Sequence, residues 1–340
     1  MDITLLRETA NKMVAPGKGI LAADESHATI GKRFAALDIE ATEENRRIYR
    51  QMFFCSPEIE NYISGVILFD ETIRQNTDDG IPFPSWLDSL GIVPGIKVDK
   101  GVKPLPGHPR ETVTEGLDGL RDRLAEYFEL GVRFAKWRAV LRIGNGMPSQ
   151  ASIAANAHAL ARYAALCQEA SIVPIVEPEV LMDGDHDIET CEMVTTEVLQ
   201  CTFSQLQEQG VLLEGIVLKP SMVIHGSEGI AAGIDEVARR TLQCLNQTVP
   251  AAVPGIAFLS GGQSDEQATS HLDAINRLGS QPWNLTFSYG RALQQSALKN
   301  WAKDISDTNN TQKIFNHRAK MNGLSSKGEW SENLEKEAAA

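Results

Sequence analysis

Three features of the sequence predict an α/β protein folded as one closed (β/α)8 barrel, with extra helices at the N-terminus and a C-terminal tail. Short apolar runs ending in polar residues recur eight times: KGILAADES, GVILFDE, GIKVDKG, RFAKWRAV, IVPIVEPEV, GIVLKPS, GIAFLSGG and NLTFSYGR. Helical stretches with apolar residues at three- and four-residue spacing lie between most of them. The steps from Lys97 to Lys136, Glu177, Lys219 and Ser260 are 39, 41, 42 and 41 residues, room for one strand, one helix and two loops. Such alternation implies parallel strands with right-handed crossovers, and eight units favour closure over an open sheet. PGKGILAAD holds no GxGxxG and no GK[ST] occurs, so the phosphate fingerprint of dinucleotide-binding sheets is missing.

The elements follow in order. Residues 1–15 predict a helix ahead of the first strand, and 40–54 (EATEENRRIYRQMFF) another between strands one and two, with Thr42 and Asn45 near its start. Later helices are expected at 153–170, 188–210 and 264–279. Ser264 suits an N-cap, and Gly210 and Gly279 sit where helices end. No internal boundary is visible, so residues 1–303 form the catalytic barrel. Beyond Trp301 the chain turns polar, and 304–340 should supply one helix near 311–321 and then a loosely held tail.

Composition narrows the function classes. Hydrophobic residues make up 42% and charged residues 23%, enough for a large core. The net charge of -13 disfavours nucleic acid and anionic membrane as partners. Five cysteines without a CxxC pair read as reduced thiols in a reducing compartment. The start shows no secretory h-region and no apolar run approaches a membrane span, so a cytoplasmic location is expected.

In such a barrel, chemistry gathers at the C-terminal ends of strands. Side chains two apart share a face, which pairs Asp24 with Ser26, Lys97 with Asp99, Lys136 with Arg138, and Glu177 with Glu179. Lys97, Lys136, Arg138, Lys219 and Arg291 outnumber Asp24, Glu177 and Glu179, which predicts a cationic mouth for an anionic substrate. Lys219 is the informative case: it ends the apolar run IVL and precedes Pro220. Desolvation and like charge both lower a lysine's pKa, and a neutral amine forms Schiff bases with carbonyls. Structural ion pairs also perturb lysines. Three lysines ending three adjacent predicted strands, with Glu177 between two of them, favour chemistry. LSGGQS (259–264) and SYGRAL (288–293) follow the seventh and eighth strands, where this architecture places phosphate sites. Arg291 adds a charge-assisted contact there.

At these residues the sequence resembles class I, Schiff-base-forming fructose-1,6-bisphosphate aldolase. GKGILAADES, TEENRRIYRQ, GIKVDKGV, FAKWRAVL, VEPEVLMDGDHD, VLKPSM, FLSGGQS and SYGRALQ occur in that order across roughly residues 10–300. The resemblance implies reversible cleavage of a sugar bisphosphate to triose phosphates with no metal and no cofactor, by a homo-oligomer, a tetramer in that family. It implies that Lys219 forms the Schiff base, that Glu177 is the acid/base, and that Lys136 assists electrostatically. Asp24 accepts the C4 hydroxyl proton, with Glu179 and Arg138 in support. Ser260, Gly261, Gly290 and Arg291 hold the C1 phosphate; Ser26, Thr29 and Lys97 hold the C6 phosphate, with Lys32 and Arg33 nearby. A transaldolase or another Schiff-base barrel lyase acting on a related sugar phosphate is the alternative.

Two departures stand out. His27 and Ala28 occupy positions where the family pattern has Thr-Gly. Animal-type members carry a terminal tyrosine that protonates the enamine, whereas Tyr289 is the last tyrosine here, so either another acid or the bound phosphate handles that proton or the step is slow. DGDHDIETCEMV begins like a calcium loop, but Ile188 and Val194 occupy the required Gly and Glu positions. The seven histidines form no HxH, HxxH or HExxH, which disfavours a zinc site.

Overall fold

The computed structural model describes residues 1–337. Among these, eight parallel strands close into a barrel: β1 Gly19–Ala22, β2 Ile63–Leu68, β3 Val93–Lys97, β4 Phe134–Leu141, β5 Val173–Val180, β6 Val217–Leu218, β7 Gly255–Phe258 and β8 Asn284–Tyr289. Each strand pairs with its sequence neighbours, and β1 closes on β8 with Ile20 opposite Ser288. The eight apolar runs are these strands, in order. An antiparallel hairpin, Val102–Pro104 with Thr112–Thr114, projects beyond β3.

The caps behave as their chemistry requires. Thr42 accepts from Asn45 N and starts the helix Glu43–Phe54. Ser264 and Gln267 form a reciprocal capping box on Asp265–Arg277. Gly210 (φ 67) and Gly279 (φ 104) take the left-handed conformation that releases the chain from its helix. β6 is shorter than the apolar run that predicts it. Pro220 has no N–H to donate, so beyond the assigned strand only two backbone bonds follow among the described residues, Lys219 N to Val176 O at 2.8 Å and Leu259 N to Pro220 O at 3.1 Å.

Two apolar layers build the core. Between barrel and helices lies the larger one, with Trp137, Tyr163 and Trp301 fully buried. Inside the barrel, Ile20, Val93, Phe134, Val173, Ile175 and Val217 pack with Leu6, Ala10, Met13 and Val14. The helix Ile3–Met13 therefore stoppers the N-terminal end of the barrel and leaves the other end for polar side chains.

At the C-terminus, Thr308–Ser325 is helical and buries Phe315 and Ala319. The segment expected as a loosely held tail is anchored as far as Glu335. Trp330 N donates to Asp273 Oδ1 (2.9 Å), and Glu335 accepts from the Trp330 indole (2.9 Å) and from Arg318 (2.6 Å). Its last residues, 338–340, lie outside the described residues.

Gly95 tests how tightly the barrel floor is packed. A Cβ there would sit 2.2 Å from Phe134 Cζ, and Gly65 bounds the same ring at 3.1 Å. Alanine normally stabilises a strand relative to glycine. Here the steric conflict should win, and Gly95→Ala should cost about 1–3 kcal/mol. A lowered midpoint in thermal unfolding is expected; a midpoint at or above the parent's contradicts this packing.

Candidate active site

The C-terminal ends of the strands open on a cavity of about 1120 Å³. Strand alternation explains its lining. Lys136 and Arg138 on β4 face it, while Trp137 between them turns outward against Tyr163, ring centroids 5.6 Å apart. Glu177 and Glu179 do the same on β5, on either side of Pro178. Every residue singled out from the sequence lines this one cavity: Asp24, Ser26, Thr29, Lys32 and Arg33 from the β1 side; Lys97, Lys136, Arg138, Glu177, Glu179 and Lys219 from β3 to β6; and Ser260, Gly261, Gly290 and Arg291 from β7 and β8.

At its base, lysines and carboxylates alternate. Lys219 Nζ is 3.1 Å from Glu177 Oε1, and Lys136 Nζ is 2.7 Å from Asp24 Oδ2 and 3.6 Å from Glu177 Oε2. Lys97 Nζ is 2.7 Å from Asp99 Oδ1. Lys219, Lys136 and Glu177 are all buried, and Glu177 Oε2 has no hydrogen-bond partner among the described residues. The expected cationic excess is found at the mouth, not at the base. The base holds Lys97, Lys136 and Lys219 against Asp24, Asp99 and Glu177, and the positive excess lies further out. There Lys32, Arg33, Arg138 and Arg291 meet Glu25 and Glu179. The first group that Lys219 meets is a carboxylate.

These neighbours set the charges. Burial works against the Lys136 ammonium, but the Asp24, Glu177 and Asp99 carboxylates overcome it and raise the pKa. Burial likewise opposes the Asp24 carboxylate, yet Lys136, Lys219 and Lys97 hold it down to about 2. Arg291 moves the other way: burial first, then Arg33 and Arg138, lower its pKa against the pull of Glu179. A guanidinium disfavoured by other guanidiniums marks a region of positive potential that an anion would satisfy.

The backbone around Arg291 fits an anion too. Gly261 sits at φ +57, and the Ser260 and Gly261 amides enter no backbone hydrogen bond among the described residues. Gly290 immediately precedes the helix Arg291–Trp301, so the positive end of that helix faces the same place. The Arg291 guanidinium donates to Gly261 O and ties the two turns together. On the β1 side, Ser26 caps the helix His27–Ala35 and accepts from Thr29 N, and one turn further Arg33 pairs with Glu25. The unexpected His27 does not line the cavity. Its Nε2 lies 3.0 Å from Glu71 Oε2 and its ring packs edge-on to Phe69.

Other lining residues carried no assignment from the sequence. Asp99 captures Lys97, Glu25 captures Arg33, and Ser288 places a buried hydroxyl without a partner among the described residues. Alternation along β8 (Thr286, Ser288, Gly290) was the available signal for Ser288. The two-residue spacing already sets Asp99 beside Lys97, whereas the contact of Glu25 with Arg33, eight residues along, had no such signal. All five cysteines are free thiols, and among the described residues no helix is long and apolar enough to cross a membrane.

Comparisons with known proteins point to one family. A family model described as fructose-bisphosphate aldolase class-I matches residues 5–340. A probable fructose-bisphosphate aldolase class 1 of Xanthomonas campestris pv. campestris is 60% identical over 333 residues, 97% of this chain and 99% of that protein. The cytosolic fructose-bisphosphate aldolase 4 of Arabidopsis thaliana is 54% identical, covering 92% of this chain and 80% of its own length. The fructose-bisphosphate aldolase of Plasmodium falciparum, solved in complex with TRAP and a small-molecule inhibitor, superposes with a TM-score of 0.95 at 49% identity, covering 96% of this chain and 95% of that one. With its eight-stranded barrel and this arrangement of lysines and carboxylates, the chain belongs to the class I fructose-bisphosphate aldolase family, whose members are carbon–carbon lyases.

Proposed function

We propose that this cavity performs the retro-aldol cleavage of fructose 1,6-bisphosphate with Lys219 as the Schiff-base lysine. The observation that carries the assignment is the 3.1 Å contact between Lys219 Nζ and Glu177 Oε1 in a buried setting. Glu177 takes a proton from the ammonium and frees the amine, which attacks the C2 carbonyl. Protonated Glu177 then returns that proton to the carbinolamine hydroxyl, which leaves as water and gives the iminium ion. Asp24 accepts the C4 hydroxyl proton as the C3–C4 bond breaks. The electron pair of that bond moves into the C2–C3 position and neutralises the iminium nitrogen, giving an enamine and glyceraldehyde 3-phosphate. Proton return to C3 and hydrolysis release dihydroxyacetone phosphate.

The remaining side chains position and balance charge. Lys136 stays cationic between Asp24 and Glu177. Arg138 and Glu179 pair above it. Ser260, Gly261, Gly290 and Arg291 receive the C1 phosphate, whereas Ser26, Thr29 and Lys97, with Lys32 and Arg33 nearby, receive the C6 phosphate. Together the two phosphates bring about -3 to -4 of charge, which meets the outer cationic excess and fixes the scissile bond between Lys219 and Asp24. While Lys136 holds it at about 2, Asp24 is a weak base; the incoming negative charge raises its proton affinity when the base is needed.

The assignment extends to a cytoplasmic homotetramer, supported by the resemblance and by the cytosolic Arabidopsis relatives. Sedimentation should give four times the chain mass, and a monomer at micromolar concentration rejects that assembly.

Borohydride reduction with fructose 1,6-bisphosphate, followed by peptide mapping, should place the adduct on Lys219. Lys219→Met should abolish both adduct and turnover, and Glu177→Gln should lower kcat by roughly 10²–10⁴-fold. An adduct on Lys97 or Lys136 reassigns the nucleophile.

Asp24 also yields a pH dependence. Its folded value of about 2 lies below the unfolded value near ~3.9. The depressed value stabilises the fold above roughly pH 4, and that contribution is lost as pH falls towards about 2. Asp24→Asn should therefore be less stable than the parent at pH 7, with the gap closing below about pH 3 in thermal melts. A gap that is constant with pH contradicts the pairing with Lys136.

A further inference from the structure

One buried histidine beside the site has no part in the mechanism above. His271, on the helix Asp265–Arg277, is buried, and its Nδ1 lies 2.6 Å from Gln263 Oε1. An amide oxygen only accepts, so the imidazole carries its proton on Nδ1 and donates. The orientation of Gln263 follows from its other end. There Nε2 donates to Ser260 O at 3.2 Å and approaches Met222 Sδ at 3.8 Å, and the carbonyl could not accept from an amide oxygen. The backbone N–H of Gln263 also donates to Ser260 O, at 3.1 Å. A chain of hydrogen bonds thus runs from the helix to the first residue of the turn Ser260–Gly262.

Planarity of the peptide unit gives this chain a consequence. Ser260 C=O and Gly261 N–H belong to one trans peptide and point in opposite directions. Two donors from Gln263, which does not line the large cavity, fix the carbonyl and with it the Gly261 N–H on the opposite edge of the same peptide. On the far side of the turn, Gly262 N donates to Met182 Sδ at 3.1 Å, so the next peptide is held as well. Burial, with His225 adding to it, lowers the His271 pKa to about 4, so the ring is neutral in the working range and keeps a single, fixed N–H.

We propose that His271 is a positioning residue for the phosphate-binding turn, acting through Gln263 to aim the Gly261 amide at the substrate's C1 phosphate. The inference rests on the assignment of Ser260, Gly261 and Arg291 to that phosphate. A histidine that merely fills the core would matter for stability alone. A positioning histidine changes substrate affinity with little change in the chemical step.

The test compares four variants by steady-state kinetics on fructose 1,6-bisphosphate and by thermal melting. His271→Leu and Gln263→Leu should each raise KM roughly tenfold, the scale of one misaimed hydrogen bond to a charged group, with kcat changed less than about twofold. His271→Asn keeps a donor where Nδ1 stands and should restore KM to near the parental value, even if its melting temperature falls. Arg291→Ala is the control on the site itself and should raise KM. Parental KM in Arg291→Ala overturns the phosphate assignment and the proposal with it. A raised KM there, with parental values in His271→Leu and Gln263→Leu, overturns the proposal alone. So does an Asn variant that behaves like the Leu variant in KM. If His271→Leu does not fold, Gln263→Leu reports on the same carbonyl and decides the question.

Discussion

One buried carboxylate organises the centre of this enzyme. Glu177 lies between Lys219 and Lys136, supplied by the two strands that flank its own. Each contact contributes on the order of 4 kcal/mol at an effective dielectric near ~20, set against a desolvation cost of several kcal/mol for each ion. No member can be removed without stranding a buried charge. The grouping exists because β4, β5 and β6 run parallel in one register, with Arg138 opposite Glu177 and Val176 opposite Leu218. A slip of one residue would turn each charge into the apolar layer outside the barrel. Register is therefore a condition for chemistry as well as for folding.

Charge balance at the base and charge excess at the rim divide the work. A balanced base can stay dry without a counter-ion, which suits the proton exchange proposed between the Lys219 amine and Glu177. At the rim, Arg33, Arg138 and Arg291 gather, and the Arg291 pKa is lowered first by burial and then by the two neighbouring guanidiniums, against Glu179 and Asp183. In the proposed reaction the substrate's two phosphates would relieve that repulsion and reduce the hold of the lysines on Asp24, coupling substrate binding energy to the strength of the base.

Much of this was legible in the chain. Apolar runs with polar ends placed the strands, and a period of two placed Lys136 with Arg138 and Glu177 with Glu179 on the cavity side. The same period of two put Lys97 with Asp99. The cross-strand pairings were not legible: Lys136 meets Asp24 and Glu177, and Lys219 meets Glu177, only because the barrel closes, and no linear spacing encodes those distances. β6 looked longer than it is because apolar content does not report the N–H that Pro220 lacks. In the C-terminal segment, Glu335 reads as a solvated acid until Arg318, His317 and Trp330 are seen to converge on it. Isolated charges in polar stretches hide their partners in this way.

The opposite end of the barrel matters to the same chemistry. Leu6, Ala10, Met13 and Val14 fill the interior below Ile20, Val93, Phe134, Val173, Ile175 and Val217, and the charged layer rests directly on that apolar column. Without such a stopper water would reach the interior from below, and charge interactions weaken steeply in water. The strength of the Glu177, Asp24 and Lys136 interactions thus depends on the first fourteen residues, which sit at the far mouth. The N-terminal helix belongs to the electrostatics of the active site as much as to the stability of the fold.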